Sequence, residues 1–150
     1  MQQVTEVALL IAAALVVVWV WLKVSRAWAD LLLRVALSDF NQCLTFLRDC
    51  IINTRDILLS YPLGEEPAGE GERALFYLKE MSLLGQDRLQ VVWKLDRSPA
   101  RELYLKCWWE WEQVEASARK LEQDLRIRLE KNPEYISTSV ERLFRNSFTA

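Results

Sequence analysis

The residues of this sequence that could do chemistry are concentrated in one short stretch, residues 107–112 (CWWEWE). It holds one of the three cysteines, three of the seven tryptophans and two glutamates, whereas the whole chain contains no histidine. Histidine is the commonest general base and metal ligand, so a cysteine or carboxylate here lacks its usual catalytic partner. Tryptophan, by contrast, is strongly enriched in binding hot spots. The stretch therefore favours binding over catalysis.

The remaining reactive groups form no recognisable catalytic pattern. The cysteines include no CxxC pair, and seven residues of helix would separate Cys43 from Cys50 by about 10 Å, too far for a disulfide. Glu110 and Glu112 have no pocket signature around them. The sequence contains no Walker loop, Rossmann glycines, nucleophile elbow or metal-ligand spacing. We therefore predict reduced, buried thiols and a protein that is not an enzyme, with no cofactor, metal or small-molecule substrate.

The tryptophans have two competing interpretations. One helix face cannot bury all three neighbouring indoles, so an exposed pair would indicate a protein interface or a contact with lipid headgroups. The alternative is a large aromatic core of a small helical bundle, and Trp111 lies on the seam expected to be buried. Both interpretations stay open. The candidate partner-interface residues are Trp93, Trp108, Trp109 and Trp111.

Helices must position these residues. The first helix is indicated by a strictly apolar run of 16 residues, Val7 to Leu22. A bilayer core needs about 20 apolar residues, and Val4 and Thr5 at one end and the stem of Lys23 at the other can cover the shortfall. A cleaved secretory signal would need a basic start and a small-residue cleavage site, and neither is present. A buried helix of a soluble core is the second competitor. We predict that residues 1–22 form a short outer tail and a transmembrane helix.

Charge bias and aromatic residues predict how this helix would sit. All 19 Lys and Arg residues follow the run, with Lys23, Arg26 and Arg34 close behind it. The positive-inside rule then places the N-terminus outside and the C-terminal domain in the cytoplasm, at the cell (inner) membrane. An aromatic belt would form beside the basic residues. The candidate membrane-interface residues are Trp19, Trp21, Lys23, Arg26 and Trp28.

A second helical segment follows directly, within a predicted juxtamembrane region of residues 23–61. Its apolar residues at 24–35 fall at spacings of three and four, while Lys23, Arg26, Asp30 and Arg34 lie off that stripe. We expect the stripe to join the cytoplasmic core; the alternative is a surface against lipid or a neighbouring membrane subunit. Ser38 or Asp39 caps a new helix, or the helix continues through both. The stripe consists of Val24, Ala27, Trp28, Leu31, Leu32 and Val35.

The rest of the chain divides at an acidic loop, residues 62–72 (PLGEEPAGEGE). Its prolines, glycines and glutamates cannot bury apolar surface, so we predict a mobile linker. On its N-terminal side, residues 40–58 carry a seven-residue apolar repeat that ends before Tyr61-Pro62. On its C-terminal side, residues 73–150 are predicted to form a helical hairpin with a short last helix. Ser82 and Gly85 are small enough to allow a close helix contact.

The second arm of the hairpin has the most regular pattern. Ser98-Pro99 is a typical helix start, and no breaker appears before Asn132-Pro133. The repeat predicts one buried face, and charged i,i+4 pairs cover the other faces. A short helix after Pro133 would carry six apolar residues. The seam residues are Tyr104, Cys107, Trp111, Val114, Ala118, Leu121 and Leu125, and those of the last helix are Tyr135, Ile136, Val140, Leu143, Phe144 and Phe148.

Composition is consistent with an all-α fold. The chain has four Gly, four Pro and 27% charged residues, which suggests helices rather than strands or disorder. The net charge of −2 argues against a nucleic-acid-binding protein, which would carry a basic stripe on its surface. We predict a single N-terminal transmembrane helix followed by a cytoplasmic antiparallel helical bundle or coiled-coil hairpin.

The function expected from these features is non-catalytic. The leading hypothesis is an accessory or scaffold subunit of a membrane protein complex, which binds membrane protein subunits and lipid through its helices. The alternative is a homo-oligomerising membrane protein, such as a pore-forming, toxic or defence effector, assembled through the heptad helices. A third class is a binding module merely tethered to the membrane, whose residues 38–150 would fold and bind without the anchor.

Overall fold

The computed structural model describes residues 2–62 and 68–132, and every regular element in these ranges is helical. Helix α1 comprises Gln2–Ser60, α2 comprises Ala68–Leu95 and α3 comprises Glu102–Lys131. A short 3-10 turn, Pro99–Arg101, precedes α3. The predicted all-helical fold is confirmed for these residues. The helix predicted after Pro133 lies outside them.

Helix α1 is continuous over 59 residues, or about 88 Å at 1.5 Å per residue. Of the two alternatives at Ser38 and Asp39, the structure has the unbroken helix. It ends at Ser60, where the following Tyr61-Pro62 was expected to end it, because the residue before proline disfavours the helical region.

Helix α2 begins at Ala68, within the segment predicted as a loop and earlier than its expected start near Glu72. The reason is a tertiary contact. Gly71 is buried against α3, where a Cβ would lie 2.7 Å from the Leu129 Cδ2 atom. Glu70 also lies in the first turn, where a carboxylate interacts favourably with the helix dipole. Residues 63–67 of the predicted loop lie outside the described residues.

The core is built from the predicted seven-residue repeats. A main cluster joins all three helices, and a smaller cluster joins the end of α1 to the start of α2 and the end of α3. The repeats therefore mark buried faces within one chain. The main cluster includes Phe40, Leu44, Leu47 and Ile51 of α1, Leu78, Leu89 and Val92 of α2, and Cys107, Trp111, Ala118 and Leu121 of α3. The smaller one is Ile57, Ala74, Leu125 and Leu129.

The apolar stripe of residues 24–35 does not join this core, contrary to expectation. Val24, Leu31, Leu32 and Val35 are each about half exposed and Trp28 is 61% exposed. The residues of α1 that reach the core in this region belong to a second apolar series, on roughly the opposite side of the helix at 100° per residue. A helix that is apolar on two sides has no pattern that tells which side is covered. The second series is Leu33, Ala36, Leu37 and Phe40.

Helix α1 thus projects from the packed helices along its first part. From Val7 to Val35, none of the side chains that the structure describes is buried. Among the described residues, α1 alone is long and apolar enough to cross a membrane, and its apolar window has no buried residue.

Candidate protein interface

The contact that organises α2 and α3 is the packing of Trp111 on Gly85. A Cβ at Gly85 would overlap the Cζ3 and Cη2 atoms of the indole. The missing side chain thus lets a large ring lie directly on the α2 backbone, and Trp111 is only 2% exposed. Phe40 of α1 packs on the same indole, with ring centroids 6.4 Å apart. The small residue predicted to permit a close helix contact does so at Gly85.

A groove of about 610 Å³ lies beside this contact, between the outer faces of α2 and α3. Four aromatic rings line it, together with three carboxylates, one guanidinium and two glutamine amides. Such a groove combines apolar area with an acidic character. Its aromatic lining is Trp93, Tyr104, Trp108 and Trp111, and its charged lining is Asp87, Glu112, Glu115 and Arg119.

The floor of the groove is polar and internally satisfied. Glu115 is 5% exposed, although it carries a carboxylate on an otherwise apolar helix face. Gln86 Nε2 donates a hydrogen bond of 2.7 Å to its Oε1 atom, and Arg119 Nη2 donates one of 2.9 Å to the same atom. These bonds offset the cost of desolvating the carboxylate. The sequence analysis placed the charged i,i+4 pairs of this helix on its other faces and gave no sign that Glu115 is buried.

One end of the groove is shaped by stacking around Trp93. Its ring meets that of Tyr104 edge-on, with centroids 4.8 Å apart. The Arg101 guanidinium lies 3.4 Å from the Trp93 ring centroid, and its Nη1 atom donates a hydrogen bond to the Trp93 carbonyl. A cation above an indole is a favourable pairing. Trp93 nevertheless keeps 42% of its surface exposed.

The three neighbouring tryptophans of α3 have different environments. Trp111 is a core residue, so its place among the candidate partner-interface residues is corrected here: the close approach at Gly85 buries it within the chain. Trp108 is 39% exposed at the groove and Trp109 is 62% exposed. Core packing therefore accounts for Trp111, whereas Trp108 and Trp109 remain exposed.

The candidate membrane-interface residues all lie on the projecting part of α1. Trp19, Trp21 and Trp28 are each more than 60% exposed. The Lys23 Nζ atom lies 5.6 Å from the centroid of the Trp19 ring, a cation–π distance within one turn of helix. Arg26 is exposed as well. The structure thus brings Lys23 and Trp19 together and leaves all five candidate residues exposed.

Asp96 is a structurally important residue that the sequence analysis missed. It is 4% exposed, and its Oδ1 atom accepts hydrogen bonds from Ser98 N and Ser98 Oγ. Its Oδ2 atom accepts one from Tyr104 N in the first turn of α3. Burial raises the pKa of Asp96, but the hydrogen bonds from Ser98 and Tyr104 together lower it below its ordinary value of 3.8. The sequence signal was an aspartate two residues before Ser98-Pro99.

The turn that Asp96 supports has an unusual backbone. Ala100 has φ 57° and Arg101 has φ 52°, both in the left-handed region. Non-glycine residues adopt this region at a cost of about 1–2 kcal/mol each. Ser98-Pro99 therefore starts the 3-10 turn, and α3 begins later than predicted, at Glu102. Ser98 still contacts α3, because its Oγ atom accepts a hydrogen bond from Glu102 N.

The thiols lie where reduced, buried cysteines were expected. Cys43 and Cys107 are buried and Cys50 is partly buried, and none of the three forms a disulfide. Desolvation raises the pKa of each thiol above its ordinary value of 9.0. A thiol with a raised pKa is a poor nucleophile at neutral pH.

The described residues include no group of three or more Cys, Asp or Glu side chains placed to hold a metal ion. What this site offers is exposed aromatic area beside fixed charges, an arrangement suited to binding another protein surface. Comparisons with models of protein families, with curated proteins and with solved structures give no match to this chain.

Proposed function

We propose that this chain is a non-catalytic, single-pass membrane protein that acts as an accessory or scaffold subunit of a membrane protein complex. The observation that carries the proposal is the division of α1 into two parts. From Val7 to Leu32 the large apolar side chains that the structure describes are exposed, whereas from Leu33 onwards α1 contributes Leu33, Ala36 and Phe40 to a core with α2 and α3. Lipid around the first part of α1 and protein around the second part would account for this division.

The anchor is supported by the cost of leaving α1 in water. Exposed apolar surface is unfavourable by about 25 cal/mol per Å², and exposed large apolar side chains occupy residues 9–11 and 15–22. A helix satisfies its own backbone hydrogen bonds, as lipid requires. The helix also continues unbroken past Lys23 to Ser60, which favours an anchor over a cleaved signal. By the positive-inside rule, Lys23, Arg26 and Arg34 support an orientation with the C-terminal domain in the cytoplasm at the cell (inner) membrane.

The proposal includes an antiparallel arrangement of the three helices in the cytoplasm. Residues that come later in α1 contact residues that come earlier in α2. The Asp39–Arg88 ion pair spans 3.6 Å, and further along α1 the Cys43 Sγ atom lies 3.7 Å from the Met81 carbonyl oxygen. Along α2 and α3, Trp93 meets Tyr104, and Gly71 lies against Leu129. These pairs support a hairpin of α2 and α3 that packs on the second half of α1.

The partner surface that we propose is the groove between α2 and α3 lined by Trp93, Tyr104 and Trp108, here called the aromatic groove, together with exposed Trp109, which follows Trp108 in α3. Large indoles that stay half exposed beside a well-packed core are typical anchors of protein interfaces. The exposed stripe from Val24 to Val35 would add a second contact, with a membrane subunit, because it continues the anchor. Together they would hold a partner both at the membrane and in the cytoplasm.

The decisive experiment is extraction of the tagged full chain from its native membrane in mild detergent, followed by mass spectrometry of the intact assembly. We expect other polypeptides in fixed ratio to the chain. Replacing Trp109 with alanine should release a partner, whereas Ile127→Ala, which truncates another exposed apolar residue of α3, should not. A partner that survives Trp109→Ala and Trp108→Ala would reject the groove as the interface.

The same measurement decides between this proposal and the alternatives. A mass that is a whole multiple of 17.6 kDa would favour a self-assembling membrane protein. Self-assembly through the seam of α3 cannot be tested by placing a charge at Ala118 or Leu121. Both residues are buried within the single chain, and a charge there would unfold it. A lone monomer would favour a tethered binding module. A soluble fragment that tests this third class should begin before Leu33, which packs on the core.

A further inference from the structure

The turn between α2 and α3 lies at the end of the helical bundle from which the apolar run of α1 projects. Arg88 pairs with Asp39, and α2 continues for seven residues beyond Arg88 before it ends at Leu95. Leu95 and Leu33 pack on the same core cluster. At 1.5 Å per residue, the turn is therefore level with about residue 32 and only about 15 Å along α1 from Leu22.

This end of the bundle carries a positive charge in a chain that is acidic overall. Residues 23–34 and 94–106 hold seven basic and three acidic residues, a formal charge of +4, in a chain whose net charge is −2. The remainder of the chain therefore carries −6. One of the three acidic residues, Asp96, is buried and directed at backbone amides, so its charge does not face solvent. Charge is thus segregated along the molecule, positive towards the apolar run.

The basic side chains of the turn are available for an external anion. Lys94, Arg97 and Lys106 are exposed. Among the described residues, the ion pairs are Arg88–Asp39, Arg119–Glu115 and Arg126–Glu122, none of which involves the turn. The turn also presents exposed apolar groups next to these charges. Leu103 is 39% exposed and Leu105 is 50% exposed.

We propose that residues 94–106 form a second membrane-contacting surface, which binds the anionic lipid headgroups of the leaflet beneath the bundle. The inference rests on the proposed membrane insertion of α1. Basic side chains near a bilayer are attracted to acidic headgroups within about a Debye length, about 10 Å at 0.1 M salt. Leu103 and Leu105 beside them suit the boundary between headgroups and acyl chains.

This surface would orient the cytoplasmic helices. A single helix in a bilayer leaves the domain that it carries free to rotate and tilt, whereas a second contact near Lys94 and Arg97 restricts both motions. The aromatic groove would then face sideways along the membrane, since it lies on the flank formed by α2 and α3. A partner embedded in the same bilayer would meet it in one orientation.

The test is amide hydrogen exchange of the full chain in nanodiscs of two compositions, phosphatidylcholine alone and phosphatidylcholine mixed with phosphatidylserine. We expect the amides of residues 94–106 to exchange severalfold more slowly in the mixed nanodiscs. Raising the salt from about 0.1 M to about 1 M should abolish the difference, because the Debye length falls to about 3 Å. The comparison between lipids uses the unmodified protein and does not depend on any variant folding.

A pair of charge-reversal variants makes the assignment specific. Lys94→Glu with Arg97→Glu should remove the lipid dependence. Lys79→Glu with Lys120→Glu reverses two other exposed basic residues, and Lys79 lies about 22 Å of helix away from Lys94. This control should keep the lipid dependence.

Three outcomes would overturn the inference. Equal exchange in both lipids at low salt would show that the turn does not select anionic headgroups. Loss of the lipid dependence in the Lys79/Lys120 control would show a response to overall charge rather than to this surface. A chain that does not enter nanodiscs at all would reject the membrane anchor and this inference together. Either of the first two outcomes would reject this inference alone and leave the proposed anchor unaffected.

Discussion

The indole of Trp111 occupies the space that a side chain at Gly85 would need. This relationship joins α2 to α3, buries one tryptophan of a cluster of three and leaves a groove beside it whose wall includes Trp108. The position of one glycine therefore decides that Trp111 belongs to the core, while Trp108 and Trp109 stay exposed.

Replacing Gly85 with alanine should destabilise the chain. In an open helix the change would stabilise by about 1 kcal/mol, but here the new methyl group overlaps the indole, and overpacking typically costs about 1–3 kcal/mol. Guanidinium unfolding of the full chain in detergent, followed by tryptophan fluorescence, measures the difference. Gly69→Ala is the control, because nothing lies within 4 Å of its new Cβ and it should not destabilise. A Gly85→Ala variant as stable as Gly69→Ala would contradict the packing described.

Truncating neighbouring tryptophans should have opposite effects on stability and binding. Trp111→Ala should lower the free energy of unfolding by about 3–5 kcal/mol, because it empties a buried site. Trp109→Ala should change it by about 0.5 kcal/mol or less, since the side chain is 62% exposed, yet it should release the proposed partner. Unfolding curves and co-purification of both variants test this contrast. A strongly destabilising Trp109→Ala would show that Trp109 is a packing residue.

The carboxylate of Asp96 should make stability depend on pH in the acidic range. Its pKa in the folded chain lies below the ordinary value of 3.8, so the stabilisation is fully present at higher pH. This stabilisation is lost as pH falls through the pKa of Asp96 in the folded chain, because the carboxylate is then protonated in the folded as well as the unfolded chain. Asp96→Asn should cost about 1–3 kcal/mol at pH 7, because the amide cannot accept the same hydrogen bonds. The difference between the two proteins should shrink below pH 4, and a constant difference from pH 3 to pH 7 would argue against an ionised cap.

Ala100→Gly should stabilise the turn before α3. Its φ of 57° is costly for alanine and open to glycine, so we expect a gain of about 1 kcal/mol despite the greater flexibility of the unfolded chain. Thermal or denaturant unfolding in detergent measures the change. Ala116→Gly, at an exposed position of regular α3 helix, is the matched control and should destabilise by a similar amount. Destabilisation at Ala100 would refute the left-handed conformation.

The cysteines should react slowly and unequally with alkylating reagents. Because burial raises all three pKa values above 9.0, less than about a tenth of each thiol is ionised at pH 8. Cys43 and Cys107 are buried and should be modified more slowly than the partly exposed Cys50. Mass spectrometry of peptides after timed alkylation, with an unfolded sample as reference, gives the three rates. Modification of Cys43 as fast as that of Cys50 would contradict the packing of α1 on α2.

Local sequence signals determined the elements of this protein. The apolar run, the seven-residue repeats and the Tyr61-Pro62 and Ser98-Pro99 signals depend on residues close together in the chain, and they correctly marked helices and buried faces. What they could not decide was which of two apolar faces of α1 is covered between residues 24 and 40, since periodicity is the same for both.

Tertiary structure alone decided the environment of each candidate site residue. Whether an indole is buried depends on the partner helix opposite it, and Gly85 lies 26 residues before Trp111 in the sequence. In the same way, the burial of Glu115 depends on its hydrogen bond from Gln86 of α2. The early start of α2 depends on the contact of Gly71 with Leu129 of α3. The sequence by itself thus specified the helices and their apolar seams, because these follow from short-range periodicity. Contacts between distant residues decided which aromatic and charged side chains remain exposed.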